Sequence, residues 1–83
     1  MTKEEMMNAY YVNLDNKNYE EAQEKIKKAM KAGEKHIMLP GKNNADNFDW
    51  VATPYTIAKL IADGFDIDKI WDPYEYWSVE WGF

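Results

Sequence analysis

The residues of this sequence that could do chemistry are one histidine, two groups of carboxylates and a short glycine-containing loop. His36 is the only histidine, and there is no cysteine to join it in a metal site or a nucleophile–base pair. General acid–base catalysis by His36 would need a carboxylate from a distant part of the chain. We therefore expect His36 to be a strand residue at the edge of the core, and the chain to have no catalytic residue, no metal site and no cofactor.

The carboxylates fall into two groups. The first is Asp46 and Asp49, and the second is Asp63, Asp66, Asp68 and Asp72. Paired carboxylates can hold a hard cation or act as acid and base, but neither group has the spacing of a calcium-binding loop. Asp66 and Asp68 alternate with apolar residues, which is typical of the solvent-facing side of a strand. A solvated acidic face is the simpler interpretation.

The stretch from Pro40 to Asn44 superficially resembles a phosphate-binding loop. It lacks the second glycine and the Ser or Thr of that motif, so it does not indicate nucleotide hydrolysis. The following residues, to Ala52, are polar with few apolar interruptions, and long irregular loops are often functional. We predict that this loop contributes Asn43, Asn44, Asp46, Asp49 and Trp50 to a binding surface.

The C-terminal stretch gives the strongest indication of a binding surface, because aromatic residues are concentrated there. Within thirteen residues it contains Trp71, Tyr74, Tyr76, Trp77, Trp81 and Phe83. Trp77, Val79 and Trp81 alternate and are expected in the core. A chain of 83 residues cannot bury all of these rings, and Tyr and Trp are enriched at interface hot spots. We therefore predict that Trp71, Tyr74, Tyr76 and Phe83 lie at an interface with a partner or with another copy of the chain.

Length and charge exclude several classes of protein. Eighty-three residues predict one domain, spanning 1–83, and a net charge of −5 argues against direct binding to the phosphate backbone of nucleic acid. No apolar stretch reaches the roughly 18–20 residues of a transmembrane helix, and the first residues do not resemble a signal peptide. We expect a soluble cytoplasmic protein that does not contact membranes.

The first part of the chain predicts two helices. Thr2 and Glu5 fit a capping box that begins the first helix, and the polar residues of 13–16 are expected to end it. Asn18 is a good N-cap for a second helix, which Gly33 is expected to terminate.

The remainder predicts a strand, a helix and two more strands. Residues 35–39 form a short apolar run that suggests an interior strand or one covered on both faces. A third helix is expected to begin at Thr53-Pro54 and end at Gly64, followed by strands over 65–71 and 76–81. Residues 48–52 could add a short edge strand. The predicted fold is α+β: two N-terminal helices, then β-α-β-β, with a small three-stranded mixed sheet packed on helices. The sequence leaves the strand order open.

The segment Gly64-Phe65-Asp66-Ile67, followed by Tyr76-Trp77-Ser78-Val79-Glu80-Trp81, resembles small accessory proteins of tailed bacteriophages. In those proteins a lysine-rich helix and a strand precede a glycine–aromatic step, and the last strand ends in tryptophan. The resemblance implies a protein that binds and blocks a host enzyme or defence complex, or that sequesters a signalling molecule, in the host cytoplasm.

These observations favour a non-enzymatic, phage-type inhibitor that contacts a host protein through an acidic, aromatic surface. A basic nucleic-acid-binding groove on that protein would be a suitable target. Charge would come from Asp46, Asp49, Asp66, Asp68, Glu75 and Glu80. The alternative is an oligomeric sponge, a homodimer or larger assembly, that sequesters a nucleotide-like small molecule on aromatic rings.

Overall fold

The computed structural model describes residues 2–71 and 73–82, and these form an α+β fold. In chain order the elements are helix α1 (Lys3–Lys31), strand β1 (His36–Pro40), a short 3-10 helix (Lys42–Asn44), helix α2 (Pro54–Ala62), strand β2 (Asp66–Trp71) and strand β3 (Glu75–Glu80). The predicted α+β class is confirmed. The extra edge strand suggested for residues 48–52 does not form, and this segment is irregular.

The ends of α1 follow the capping signals in the sequence. The Thr2 hydroxyl accepts a hydrogen bond from the Glu5 N–H at 3.2 Å. At the other end Gly33 has a φ of 82°, a left-handed conformation that glycine adopts without steric cost. The N–H of Glu34 then bonds back to the Ala29 carbonyl at 3.0 Å, which closes the last turn.

The prediction of two N-terminal helices is wrong, because α1 continues through residues 13–18 as one helix. The physical reason is that Asn18 does not cap its own backbone. Its Oδ1 accepts hydrogen bonds from the Thr53 N–H at 3.1 Å and the Thr56 hydroxyl at 2.5 Å. Its amide donates to the Val51 carbonyl at 2.8 Å. Tertiary bonds to the start of α2 thus replace the local cap that the sequence suggested.

The two helices are also joined at the other end of α2. The Tyr19 hydroxyl donates a hydrogen bond to the Asp63 carboxylate. That bond raises the pKa of Tyr19 above its ordinary value, and burial and the negative charge of Asp63 act in the same direction. Asn18 and Tyr19 therefore hold α2 against the second half of α1 at both ends.

The sheet has β3 in the middle, in the order β1-β3-β2, and β3 is antiparallel to both neighbours. The predicted mixed sheet is therefore wrong: β1 and β2 run in the same direction but do not touch. β1 is an edge strand with an exposed side, so it is not the interior or doubly covered strand that its apolar sequence suggested. The reason is that β2 and β3 form a hairpin, and β1 pairs with the free side of β3.

The helices cover one face of this sheet and build the core there. The fully packed cluster consists of Ala22, Ile26, Leu39, Ala52, Ile57, Leu60 and Val79. Trp77 and Trp81 pack against it and are partly buried, in agreement with their predicted core positions. Among residues 2–71 and 73–82, no helix is both long and apolar enough to cross a membrane.

Replacing Asn18 tests whether its tertiary bonds hold the helices together. We expect Asn18→Ala to lower the free energy of unfolding by about 2–3 kcal/mol, because the Thr53 N–H and the Thr56 hydroxyl lose their acceptor. Asn16 accepts only an exposed bond from the Tyr55 hydroxyl, at 3.1 Å. Asn16→Ala is therefore the matched control and should cost less than about 0.5 kcal/mol in urea unfolding. Equal losses for the two variants would contradict this assignment.

Candidate functional site: the open face of the sheet

The alternation of side chains along the strands gives the sheet two different faces. In β3, Val79 points toward the helices, and it pairs with Ile37 and Ile67. Ser78 points the other way, with Met38 and Asp68 as its partners. Directly paired residues share a face. The second face consists of His36, Met38, Pro40, Asp66, Asp68, Ile70, Tyr76, Ser78 and Glu80. We call this surface the open face, since most of its side chains are exposed.

One half of the open face is acidic. Asp66 and Glu80 are direct partners in the ladder, and Asp68 lies two residues along β2 from Asp66. Side chains paired in this way have Cβ atoms about 4.5–5.5 Å apart. All three are exposed, and the nine residues of the open face include no lysine. The other titratable groups there are His36, opposite Glu80 on the β1 side, and the phenol of Tyr76 in the other half of the face.

The other half of the open face is apolar and aromatic. Met38 and Ile70 are exposed, and Tyr76 between them is half-buried. The ring of Phe48, from the loop after β1, meets the Tyr76 ring edge-on, with centroids 6.1 Å apart and planes at 84°. This is a favourable aromatic arrangement, and it places the loop beside the open face.

The loop after β1 is fixed to the start of β3 by one backbone carbonyl. The Glu75 carbonyl accepts hydrogen bonds from the Gly41 N–H at 2.9 Å and from the Asn44 side-chain amide at 2.8 Å. The Asn44 side-chain oxygen accepts a further bond from Asn47 at 3.0 Å. Two residues predicted to lie at the surface are therefore structural: Asn44 is 0% exposed and Glu75 only 7%. We leave both out of the binding surface.

The Glu75 carboxylate is paired on the helix side of the sheet. Its Oε1 lies 3.4 Å from the Lys69 Nζ. The same ammonium group sits over the rings of Trp71 and Trp77, at 4.5 and 5.2 Å from their centroids. Lys69 therefore neutralises a carboxylate on the helix side and leaves the charges of the open face uncompensated.

The remaining residues predicted for the site lie outside the open face, and Trp71, the ladder partner of Glu75, is on the helix side of the sheet. Trp71 and Tyr74 are exposed where β2 turns into β3, as expected for rings that the core cannot hold. Asn43, Asp46 and Asp49 are exposed in the loop. Trp50 is half-buried beside α1, with the Lys25 Nζ 5.1 Å from its ring centroid, so it does not join Tyr76. Phe83 lies outside the described residues.

Sequence reasoning did not assign Met38, Phe48 or Ile70 to the site. Met38 belongs to a continuous apolar run, and such a run does not show which residues face the helices. The face of Met38 can be assigned only when its partner in the β-ladder is known. Ile70 would have been found by continuing the alternation from Asp66 and Asp68. Phe48 gave a misleading signal, because its alternation with Trp50 and Ala52 suggested an edge strand that the structure does not form.

The open face presents exposed carboxylates beside exposed apolar side chains. Across the described part of the chain, no three His, Asp or Glu side chains are placed to hold a metal ion. Comparison of the chain with protein-family models, with curated proteins and with solved structures finds no match. The resemblance to small bacteriophage proteins therefore stays a prediction.

Gly41 is the position at which the joint between loop and sheet can be tested. A Cβ at this residue would lie 2.5 Å from the Cγ of the buried Glu75 side chain. We expect Gly41→Ala to lower the free energy of unfolding by about 1–3 kcal/mol through overpacking. In a Glu75→Ala background the added methyl group has room, so the same substitution should cost much less. An unchanged cost in that background, measured by urea unfolding, would show that the two side chains do not conflict.

Proposed function

We propose that this chain is a non-enzymatic binding protein, a phage-type inhibitor that places the open face of its sheet on a basic surface of a host protein. The observation that carries this proposal is the cluster of Asp66, Asp68 and Glu80, three exposed carboxylates with no lysine on the same face.

The acidic cluster works against the stability of the isolated fold. Like charges directly opposite one another weaken a β-ladder, and Asp66 and Glu80 are such a pair. Lysine or arginine side chains from a partner would relieve this repulsion on binding. The repulsion that destabilises the free protein would therefore favour formation of the complex. This effect supports a role for the acidic cluster in recognition.

The apolar half of the open face supplies contact area, which the acidic half alone does not provide. Met38, Tyr76, Ile70 and the neighbouring Phe48 offer contact area that can be removed from water. A surface of this kind, with aromatic residues beside a charged region, has the composition of protein–protein interfaces. The matching partner is a protein with a basic groove, such as one that binds nucleic acid, flanked by apolar side chains.

The test compares two variants of equal charge. Asp66→Asn/Asp68→Asn/Glu80→Gln alters the open face, and Glu5→Gln/Glu20→Gln/Glu34→Gln alters exposed carboxylates elsewhere. Each set raises the net charge from −5 by three, to −2. The wild-type chain is used to capture partners from a bacterial lysate, and association rates with the captured protein are measured between 50 and 500 mM NaCl.

We expect the open-face variant to slow association by about tenfold or more at low salt, and the control set to change it less than about twofold. Salt should slow association of the wild type and hardly affect the open-face variant, because screening acts on the charges that steer the encounter. Heparin, a polyanion, should compete. Equal rates for the two variants, or binding that does not depend on salt, would overturn the proposal.

A second function, sequestration of a nucleotide-like molecule, is favoured by a groove beside the edge strand β1. This groove has a volume of about 550 Å³. Its lining includes Lys25, Lys28, Phe48 and Trp50. The indole N–H of Trp50 is buried without an acceptor among the described residues, and a ligand acceptor would satisfy it.

The nucleotide hypothesis is tested by thermal unfolding with a panel of nucleoside monophosphates at millimolar concentration. Binding predicts a rise in melting temperature that increases with ligand concentration and is lost in Trp50→Leu. The open-face variant should retain this shift, because none of its three substituted residues lines the groove. No shift with any nucleotide would remove this function.

A further inference from the structure

We propose that the free edge of β1 is a docking site for an extended acidic peptide of another protein. The peptide adds to the three-stranded sheet as a further strand and places a carboxylate in the groove between β1 and α1. This inference does not depend on the proposed function, because it uses the backbone of β1 and the adjacent groove, and none of the carboxylates of the open face.

The hydrogen bonds at the two ends of β1 show which backbone groups face away from the sheet. After β1 the Gly41 N–H bonds to the Glu75 carbonyl at 2.9 Å, and before it the Lys35 carbonyl accepts from the Trp81 N–H at 3.4 Å. Along an antiparallel pair, hydrogen-bonded and non-hydrogen-bonded positions alternate. The odd-numbered residues of 35–41 therefore bond to β3, and the even-numbered ones direct their backbone groups to the free edge.

One even-numbered residue is already occupied. The Pro40 carbonyl accepts a hydrogen bond from the Ala52 N–H at 2.8 Å, and proline has no N–H to donate. The loop after β1 thus closes this end of the edge. The N–H and C=O groups of His36 and Met38 remain, and within residues 2–71 and 73–82 no other group bonds to them. They can pair with an added strand.

The free edge of β1 lacks the protection that the other edge strand has. β2 carries Asp66, Asp68 and Lys69, and charged side chains, lysine in particular, discourage pairing with a further strand. The five residues of β1, His36–Pro40, include no Asp, Glu, Lys or Arg. Addition of an extended peptide to an exposed sheet edge is a recurring mode of recognition. In this sheet β1 is the edge suited to it.

A groove runs along the same edge. It is lined by residues 37–40 of β1 and, across from them, by Ala29 and Ala32 of α1. Successive side chains of a strand point to opposite faces, so a groove lined by four consecutive strand residues follows the edge of the sheet. An added strand therefore directs alternate side chains into this groove and the others toward the open face beside Met38.

The polar groups of the groove favour a carboxylate. The buried indole N–H of Trp50 has no acceptor among the described residues. The Lys25 Nζ lies 5.1 Å from the centroid of the Trp50 ring, and Lys28 lines the same groove. Glu34 and Asp49 also line it, but in the described part of the chain neither forms an ion pair with these lysines. A peptide carboxylate would accept from the indole N–H and pair with an ammonium group.

Two other occupants satisfy only part of this arrangement. A second copy of the chain, pairing β1 with β1, would bring no carboxylate, because β1 contains none. The indole N–H of Trp50 would stay without an acceptor. A nucleotide would supply an anion but would leave the edge groups of His36 and Met38 to water. An extended acidic peptide meets both the edge and the groove.

The test uses the peptide acetyl-Thr-Val-Thr-Glu-Thr-Val-Thr-amide, whose glutamate shares one side of the strand with the two valines. Amide hydrogen exchange is measured by NMR on the full chain. In the free protein we expect the Ile37 and Leu39 amides to exchange at least about tenfold more slowly than those of His36 and Met38, because only the former bond to β3. Peptide at ten times its dissociation constant should slow the Met38 amide by about tenfold.

Two changes to the peptide separate strand addition from attraction of charge. N-methylation of alternate residues blocks either the N–H groups that face β1 or those that face solvent. We expect one alternate set to weaken binding by at least about tenfold and the other by less than about threefold. Exchanging the glutamate for lysine should weaken binding by about tenfold or more. Equal effects of the two methylated sets would show that no strand forms and would overturn the proposal.

Two variants of the chain test the groove. Trp50→Phe keeps a ring but removes the indole N–H, and Lys25→Gln/Lys28→Gln removes both charges. Each should weaken the acidic peptide by about tenfold. The matched control Lys27→Gln/Lys31→Gln changes two lysines of α1 that do not line the groove, and it should alter binding by less than about twofold.

A variant of the edge itself is Met38→Pro. It removes one N–H that points to the free edge, a position at which an edge strand tolerates proline. We expect the folded variant, checked by circular dichroism, to bind the peptide at least about tenfold more weakly. The methylated peptides decide the question on the wild-type chain if this variant does not fold.

Three results would overturn the proposal. The first is exchange of the His36 and Met38 amides that the acidic peptide does not slow. The second is protection of these amides that appears without peptide as the protein concentration rises, which would assign the edge to a second copy. The third is binding of a nucleoside monophosphate in the groove by a chain that does not bind the peptide.

Discussion

The rest of the structure depends on the register of β3, the strand that is hydrogen-bonded on both sides. Val79 is fully buried between Ile37 and Ile67. A slip by one residue would exchange the two faces of the strand and bring Glu80 under the helices, where an unpaired carboxylate is very costly. The burial of Val79 therefore fixes Glu80, and with it Asp66, on the outside. The acidic face follows from the core and is not an independent feature of the surface.

A second constraint connects the loop after β1 to this register. The Glu75 carbonyl receives two donors, Gly41 and Asn44, and the Glu75 side chain fills the space that a Cβ on Gly41 would need. Because Asn44 is fully buried by this joint, the loop has little freedom to move relative to β3. Phe48 is then held against Tyr76 at a fixed angle. An irregular loop thus acquires a defined position from backbone bonds, with little apolar burial of its own.

The sequence predicted the features that depend on local interactions. Thr2, Thr53, Gly33 and Gly64 mark helix ends in the structure, and the alternation of Trp77, Val79 and Trp81 identified the core face of the last strand. What it did not predict depends on contacts between distant residues. Asn18 has the same local pattern whether it caps a helix or bonds to Thr53, and only the position of α2 decides between them. The burial of Asn44 and the edge position of β1 were hidden for the same reason.

The chain divides at Asn18 into a half that folds the protein and a half that leaves apolar surface exposed. All helical core residues come after this point, so the first half of α1 contributes little to the body. Substitutions in that half leave the open face in place, because every open-face residue belongs to β1, β2 or β3.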